Sequence, residues 1–182
     1  MRVISGTARG LKLDSPEGSD TRPTLDNVKE AIFSMLFDKV RGAVVLDLFA
    51  GSGALGIEAL SRGAQCCVFS DCSYKATEII RKNCDKAHLA DRSEIIKADY
   101  EKVICGLSQK CRKFDIIFLD PPYAQGLLDT ALSLIREHQL LAPDGVVVTE
   151  LDFGTIVDIP DYNLLKDKKY GRVCIKILEA KC

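Results

Sequence analysis

The chain has 182 residues, 47% hydrophobic and 28% charged, which fits one globular domain with a full-sized core and excludes a fibrous or disordered chain. A formal net charge of -1 excludes a uniformly basic nucleic-acid binder, so any hold on a polyanion must come from a local patch. No apolar run approaches the roughly 18 residues that span a bilayer, and the opening Met1-Arg2-Val3-Ile4-Ser5-Gly6 has no stretch of signal-peptide length, so a cytoplasmic protein with no membrane partner is expected.

Taken in chain order, Arg2 to Leu13 reads as a short hairpin turning near Gly6 to Gly10, with Arg2, Arg9 and Lys12 and no acid. A loop containing Pro16, Gly18 and Pro23 leads to a helix over about Leu25–Val40. There Val28, Ala31, Ile32, Met35 and Leu36 recur at helical spacing, Thr24 can cap the start and Gly42 closes the end. Strands and helices then alternate. Val44–Phe49 is a buried-strand run, followed by a helix over Ala54–Arg62. Cys66–Ser70 is a strand ending at Asp71, followed by a helix over Tyr74–Ala87. Ser93–Ala98 ends at Asp99, followed by a helix over Tyr100–Cys111. Phe114–Leu119 ends at Asp120, followed by a helix over Leu127–Gln139. Pro143-Asp144-Gly145 is a turn signal before a strand at Val146–Leu151. Two further strands, Tyr162–Lys169 and Val173–Glu179, meet at Tyr170-Gly171.

Five β–α alternations and a terminal hairpin predict a doubly wound α/β sheet with a mostly parallel core, in which ligands bind beyond the C-terminal ends of the strands. Asp71, Asp99 and Asp120 fall at such ends, and Asp47 lies inside the first strand just before its loop. The eight cysteines contain no C-x-x-C pair, and His88 and His138 lie away from any pair at ligand spacing. Reduced core thiols and no metal are expected.

The run Asp47-Leu48-Phe49-Ala50-Gly51-Ser52-Gly53-Ala54-Leu55-Gly56 joins strand to helix. Its glycines let the backbone turn tightly and approach a ligand. Asp71 follows Gly51 by twenty residues, the spacing of a carboxylate that holds ribose hydroxyls. NAD and S-adenosylmethionine both carry such a ribose, so the loop alone does not choose between them. The D-x-F-x-G-x-G form resembles the first motif of class I methyltransferases, and Asp99 resembles the acid that caps adenine there. By itself Asp99 reads as an ordinary loop acid.

Asp120-Pro121-Pro122-Tyr123 follows directly on a strand. Prolines cannot continue the ladder and fix a rigid turn at the sheet's rim. An exocyclic amine of a base is a poor nucleophile because its lone pair is spread into the ring. A carboxylate at Asp120 and a carbonyl at Pro121 can accept its two hydrogens and turn the lone pair outward. Tyr123 can stack on the base, worth about 1–3 kcal/mol. A base within RNA must be splayed out to reach such a corner.

Met1-Arg2-Val3-Ile4-Ser5-Gly6 with Arg9-Gly10, Thr21-Arg22-Pro23-Thr24, the run Leu46 to Gly63, and Leu119 to Tyr123 together resemble the bacterial 16S ribosomal RNA guanine-N2 methyltransferases over nearly the whole chain. The resemblance implies a seven-stranded, Rossmann-like class I methyltransferase fold as one domain over residues 1–182. Residues 1–24 would form an N-terminal hairpin arm and loop, and 25–182 a helix plus core. It implies S-adenosylmethionine as cofactor, held by Asp47, Phe49, Ala50, Gly51, Ser52, Gly53, Gly56, Asp71, Cys72, Asp99 and Tyr100. Asp120, Pro121, Pro122 and Tyr123 would hold the target base. Arg2, Arg9, Arg22 and Thr24 would meet 16S rRNA in the small ribosomal subunit or its assembly intermediate. Four positions depart: the family usually has glutamate at Asp71 and an acid at Ser73, and arginines at Asn27 and Lys29, whose loss thins the basic surface.

Plainer readings exist for some residues: a salt bridge from Arg22 to the following helix, a solvated hairpin face for Arg2 and Arg9, and a core position for Tyr123. The nearest functional alternative is amino-methylation of another base, adenine N6 or cytosine N4, although 182 residues leave little room for a separate target-recognition region. Protein glutamine methylation shares the chemistry, but its motif begins with asparagine. For an NAD oxidoreductase no catalytic histidine is evident, and a cofactor-binding module without catalysis is the remaining class.

Overall fold

A computed structural model describes residues 1–15, 24–121, 126–152, 154, 155, 157 and 159–181. Helix α1 (Thr24–Met35) precedes β1 (Val44–Asp47), α2 (Ala54–Ser61), β2 (Cys66–Asp71), α3 (Tyr74–Lys86), β3 (Ser93–Lys97), α4 (Tyr100–Gln109), β4 (Phe114–Leu119), α5 (Leu127–Glu137), β5 (Leu141–Asp152), β6 (Tyr162–Tyr170) and β7 (Val173–Ala180). The strands form one sheet in the order β3-β2-β1-β4-β5-β7-β6. The first five are parallel, and β7 runs antiparallel between β5 and β6. This is the doubly wound sheet with a terminal antiparallel hairpin that the alternation predicts.

Period-two alternation decides which side chain faces which layer. Val45, Cys67, Phe69, Ile116 and Phe118 pack with Val28, Ile32, Phe33, Ile57, Leu60 and Ile80, so α1, α2 and α3 cover one face. Leu46, Val68, Ile117, Leu119 and Val147 pack with Ile104, Leu107, Leu128, Leu132 and Ile135, so α4 and α5 cover the other. Each fully buried side chain of this size contributes about 1.5–3 kcal/mol. Strand order reverses between β1 and β4, and that crevice is the switch point where doubly wound sheets bind ligands.

The N-terminal hairpin forms around one antiparallel bridge, Arg2 to Lys12, with Val3 and Leu13 buried against the α1–α3 layer. At its turn, Gly6 (φ +87°) lies so close to α2 that a Cβ would stand 1.8 Å from the Ser61 carbonyl oxygen. Only glycine fits there.

Several boundaries differ from the periodicity. Helix α1 stops at Met35 rather than Val40. Turns carry Leu36 and Val40 into the core at the same spacing, so the apolar pattern outlasts the helix. Helices α3, α4 and α5 stop short of the expected Ala87, Cys111 and Gln139. Each gives way to a left-handed residue that is not glycine: His88 (φ 56°), Cys111 (φ 51°) and Gln139 (φ 49°). In each case the next N–H, of Leu89, Arg112 or Leu140, donates to the carbonyl five residues back, closing a Schellman turn. The Pro143-Asp144-Gly145 turn lies inside β5 as an irregularity, where pairing jumps from Phe114–Leu141 to Ile116–Val146. Every cysteine among the described residues is a free thiol.

Candidate active site

A cavity of about 530 Å³ opens at the switch point, within the range of small-molecule sites. Its floor is the loop from Asp47 to Ser52, and Asp71, Cys72, Asp99 and Tyr100 form one wall. Asp120, Pro121, Glu150, Lys29 and Met1 line the other end. Asp47, Phe49, Ala50, Gly51, Ser52, Asp71, Cys72, Asp99 and Tyr100 therefore all meet at one cavity, with Asp120 and Pro121 facing them. Gly53 and Gly56 stand behind the wall. Gly53 (φ 77°) caps α2. Gly56 lets α2 lie against β2, since a Cβ there would stand 2.3 Å from the Phe69 ring. Pro122, Tyr123 and Arg22 lie outside the described residues, and of Thr24 only the backbone, at the start of α1, is described.

The carboxylates of the rim hold the loop in shape. Asp47, 2% exposed, accepts the Gly56 N–H through Oδ2 at 3.0 Å and so ties β1 to the first turn of α2. Asp71 accepts the Gly51 N–H at 3.0 Å on one oxygen and the Ser73 N–H at 2.8 Å on the other. Asp99 caps α4, accepting the Glu101 N–H at 3.1 Å, and Ser73 caps α3. A carboxylate has about four lone-pair sites, so each of these acids can still accept from a ligand. The Phe49 and Tyr100 rings, centroids 5.4 Å apart, give this half of the cavity an apolar wall.

Burial pushes Asp47 up to about 7, with the nearby Asp120 and Asp71 charges adding to the effect and the Gly56 N–H opposing it. Asp120 opens onto the cavity but is closely ringed by protein, and that desolvation also raises it, to about 6. Among the described residues, none of Asp47, Asp71, Asp99 and Asp120 takes part in an ion pair. The site is a set of partly uncompensated negative charges, suited to a ligand that brings positive charge. Among the described residues no cluster of three histidines, cysteines or acids is placed to hold a metal ion.

Two residues that sequence reasoning passed over, Glu58 and Asn83, tie the N-terminal arm to the core. Glu58, the one charged residue of α2 and wholly buried, accepts the N–H groups of Ile4 (2.8 Å) and Ser5 (3.0 Å), the Lys29 ammonium (3.2 Å) and the Arg62 guanidinium (2.7 Å). Lys29, 3% exposed, also donates to the Arg2 carbonyl. Burial lowers the Lys29 ammonium, and Glu58 opposes that. Lys29 is thus a buried tie between arm and core rather than a member of the basic surface. Asn83, also fully buried, exchanges hydrogen bonds with the Asp14 backbone and donates to the Ser52 carbonyl, joining the arm's end to the loop. The signal for Glu58 was legible: a single acid within Ala54-Leu55-Gly56-Ile57-Glu58-Ala59-Leu60 must find partners if that helix is buried.

The arm separates the expected RNA-facing arginines. Arg2, near the cavity, pairs with Asp26 at 3.0 Å, whereas Arg9 sits in the exposed turn beside Ser61. That turn lies at the far end of the eight-residue α2, about 12 Å along its axis.

Known proteins agree with this geometry. The family described as Conserved hypothetical protein 95 matches residues 1–179. YlbH of Bacillus subtilis (strain 168), provisionally named an rRNA methyltransferase, is 40% identical over all of both chains. Ribosomal RNA small subunit methyltransferase D of Haemophilus influenzae is 33% identical over 98% of this chain and 93% of that one. The solved yhhF protein of Escherichia coli, provisionally named a methyltransferase, superposes with a TM-score of 0.87 at 28% identity, covering 100% of this chain and 98% of that one. The chain belongs to this family, which takes in the ribosomal RNA small subunit methyltransferase D proteins, and it has their class I, S-adenosylmethionine-dependent methyltransferase fold.

Proposed function

We propose that the chain, as one methyltransferase domain with residues 1–24 as its arm, methylates N2 of a guanine in 16S ribosomal RNA. The substrate in the cytoplasm is the small subunit or its assembly intermediate. The observation that carries the reading is the shared cavity: the glycine loop and the acids of β1, β2 and β3 face Asp120 and Pro121 across the switch point. Names of relatives supply small-subunit rRNA as the substrate class.

The residues fit S-adenosylmethionine. Asp71 would hold the ribose, Asp99 and Tyr100 the adenine end with Phe49 and Cys72, and the loop Ala50 to Ser52 the amino-acid end, with Gly53 and Gly56 setting the loop's shape. Asp47, buried and pushed up to about 7, would ionise beside a positive ligand. The cofactor supplies a methyl group made electrophilic by a sulfonium.

Asp120 and the Pro121 carbonyl would take the two hydrogens of the guanine amine and aim its lone pair. Pro122 and Tyr123 would complete the corner, with the tyrosine stacked on the base. Catalysis is then chiefly alignment. Asp120, lifted toward neutrality by its surroundings, can take the proton that the amine loses. Arg2, Arg9, Arg22 and Thr24 would line the path of the RNA.

The test is transfer of tritium from labelled S-adenosylmethionine to small subunits lacking the modification, followed by digestion and mapping. N2-methylguanosine at one 16S position is expected. Label on adenine N6 or cytosine N4 sinks the guanine assignment.

A further inference from the structure

The target end of the cavity holds a second carboxylate. Strands β4 and β5 pair in parallel as far as Leu119 opposite Thr149, so Asp120 follows at the end of β4 and Glu150 at the next position of β5, which runs on to Asp152. Both line the cavity together with Pro121.

Two adjacent carboxylates and a carbonyl make a row that only accepts hydrogen bonds. The three bases with exocyclic amines differ in what lies beside the amine. Guanine N2 is flanked by N1–H, a donor, on the Watson–Crick side and by the N3 lone pair on the other. Adenine N6 is flanked by the N1 lone pair, and cytosine N4 by the N3 lone pair. An acceptor beside the amine on the N1 side therefore pairs with guanine N1–H and meets a lone pair in either of the others.

We propose that Glu150 is the residue that selects guanine, accepting its N1–H while Asp120 and Pro121 hold the amine. The inference rests on the reading that this corner receives a base amine, and it adds the group that decides which base. Sites built to hydrogen-bond a polar edge reject analogues lacking it, because a buried polar group is left unpaired.

The test compares small subunits reconstituted with guanine or with 2-aminopurine at the mapped nucleotide. The analogue keeps the amine but carries a lone pair at N1. Single-turnover methyl transfer by the wild-type protein should be about 10- to 100-fold slower on the analogue. Glu150→Gln should slow transfer to guanine by a similar factor and shrink the difference between the two bases. Its affinity for S-adenosylhomocysteine should stay that of the wild type. Equal rates on both bases with the wild-type protein, or an undiminished guanine preference in Glu150→Gln, overturns the proposal. The wild-type arm needs no variant, so a poorly folding Glu150→Gln cannot shield the idea. Label on an adenine or cytosine amine overturns both the Glu150 assignment and the proposed function. Label on guanine N2 with an indifferent Glu150 overturns the assignment alone.

Discussion

Two buried carboxylates, one in the arm anchor and one in the cavity, are treated in opposite ways. Glu58 is wholly enclosed and receives two backbone N–H groups and two cations. Asp47, almost as buried, receives the Gly56 N–H, has other carboxylates for neighbours and is pushed up to about 7. A charge that serves the fold is compensated by the fold. A charge that serves a ligand is left short of partners, and the ligand completes it.

The comparison breaks first if Glu58 proves dispensable. Glu58→Ala would strand Lys29 and two N–H groups, and removing one partner of a buried ion pair costs about 3–5 kcal/mol. Urea unfolding should show a loss of that size. Asp47→Asn is the counterpart. It keeps an acceptor for Gly56 and removes a penalised charge, so stability at pH 8 should hold or rise while affinity for S-adenosylmethionine falls. The sign follows from protons: between about pH 4 and 7 the folded chain holds a proton on Asp47 that the unfolded chain has lost, so this group's contribution to stability declines as pH rises through that window.

The next effect lies at the opposite end of the cavity. Asp120→Ala should reduce methyl transfer by about 10²–10³-fold with S-adenosylhomocysteine affinity within about twofold. Full activity in that variant would remove the acceptor corner from the mechanism. Smaller again is the effect of acid. Lowering the pH from 8 to 6 protonates Asp47 and should weaken S-adenosylmethionine binding by about tenfold. S-adenosylhomocysteine, which lacks the sulfonium charge, should lose less. Smallest is Arg9→Glu, which is expected to weaken binding to small-subunit RNA severalfold and lower the salt dependence by about one phosphate contact, with cofactor affinity unchanged. Unchanged RNA affinity would take the hairpin turn out of the interface.

Much of this was legible in the sequence because the signals were local. Short apolar runs and strand-end aspartates located β1 to β4 within a residue or two, and with them Asp47, Asp71, Asp99 and Asp120. The helix ends were less legible, because His88, Cys111 and Gln139 adopt the left-handed turn that a reader expects of glycine. Least legible was the arm anchor. Glu58 meets Ile4, Ser5 and Lys29 across 29 to 54 residues of chain, and only tertiary packing brings those partners together. Asp99 turned out to be a helix cap as well as a cavity residue, a double use that no spacing announces.

Proton release on cofactor binding tests the contrast between the two carboxylates most directly. At pH 6.5 the α-amine of S-adenosylmethionine is already protonated, so protons given up must come from the protein. Calorimetric titration in two buffers of different ionisation enthalpy should report release of about one proton per cofactor bound, falling sharply in Asp47→Asn. Binding with no proton release, and with equal affinity at pH 6 and pH 8, would contradict the account.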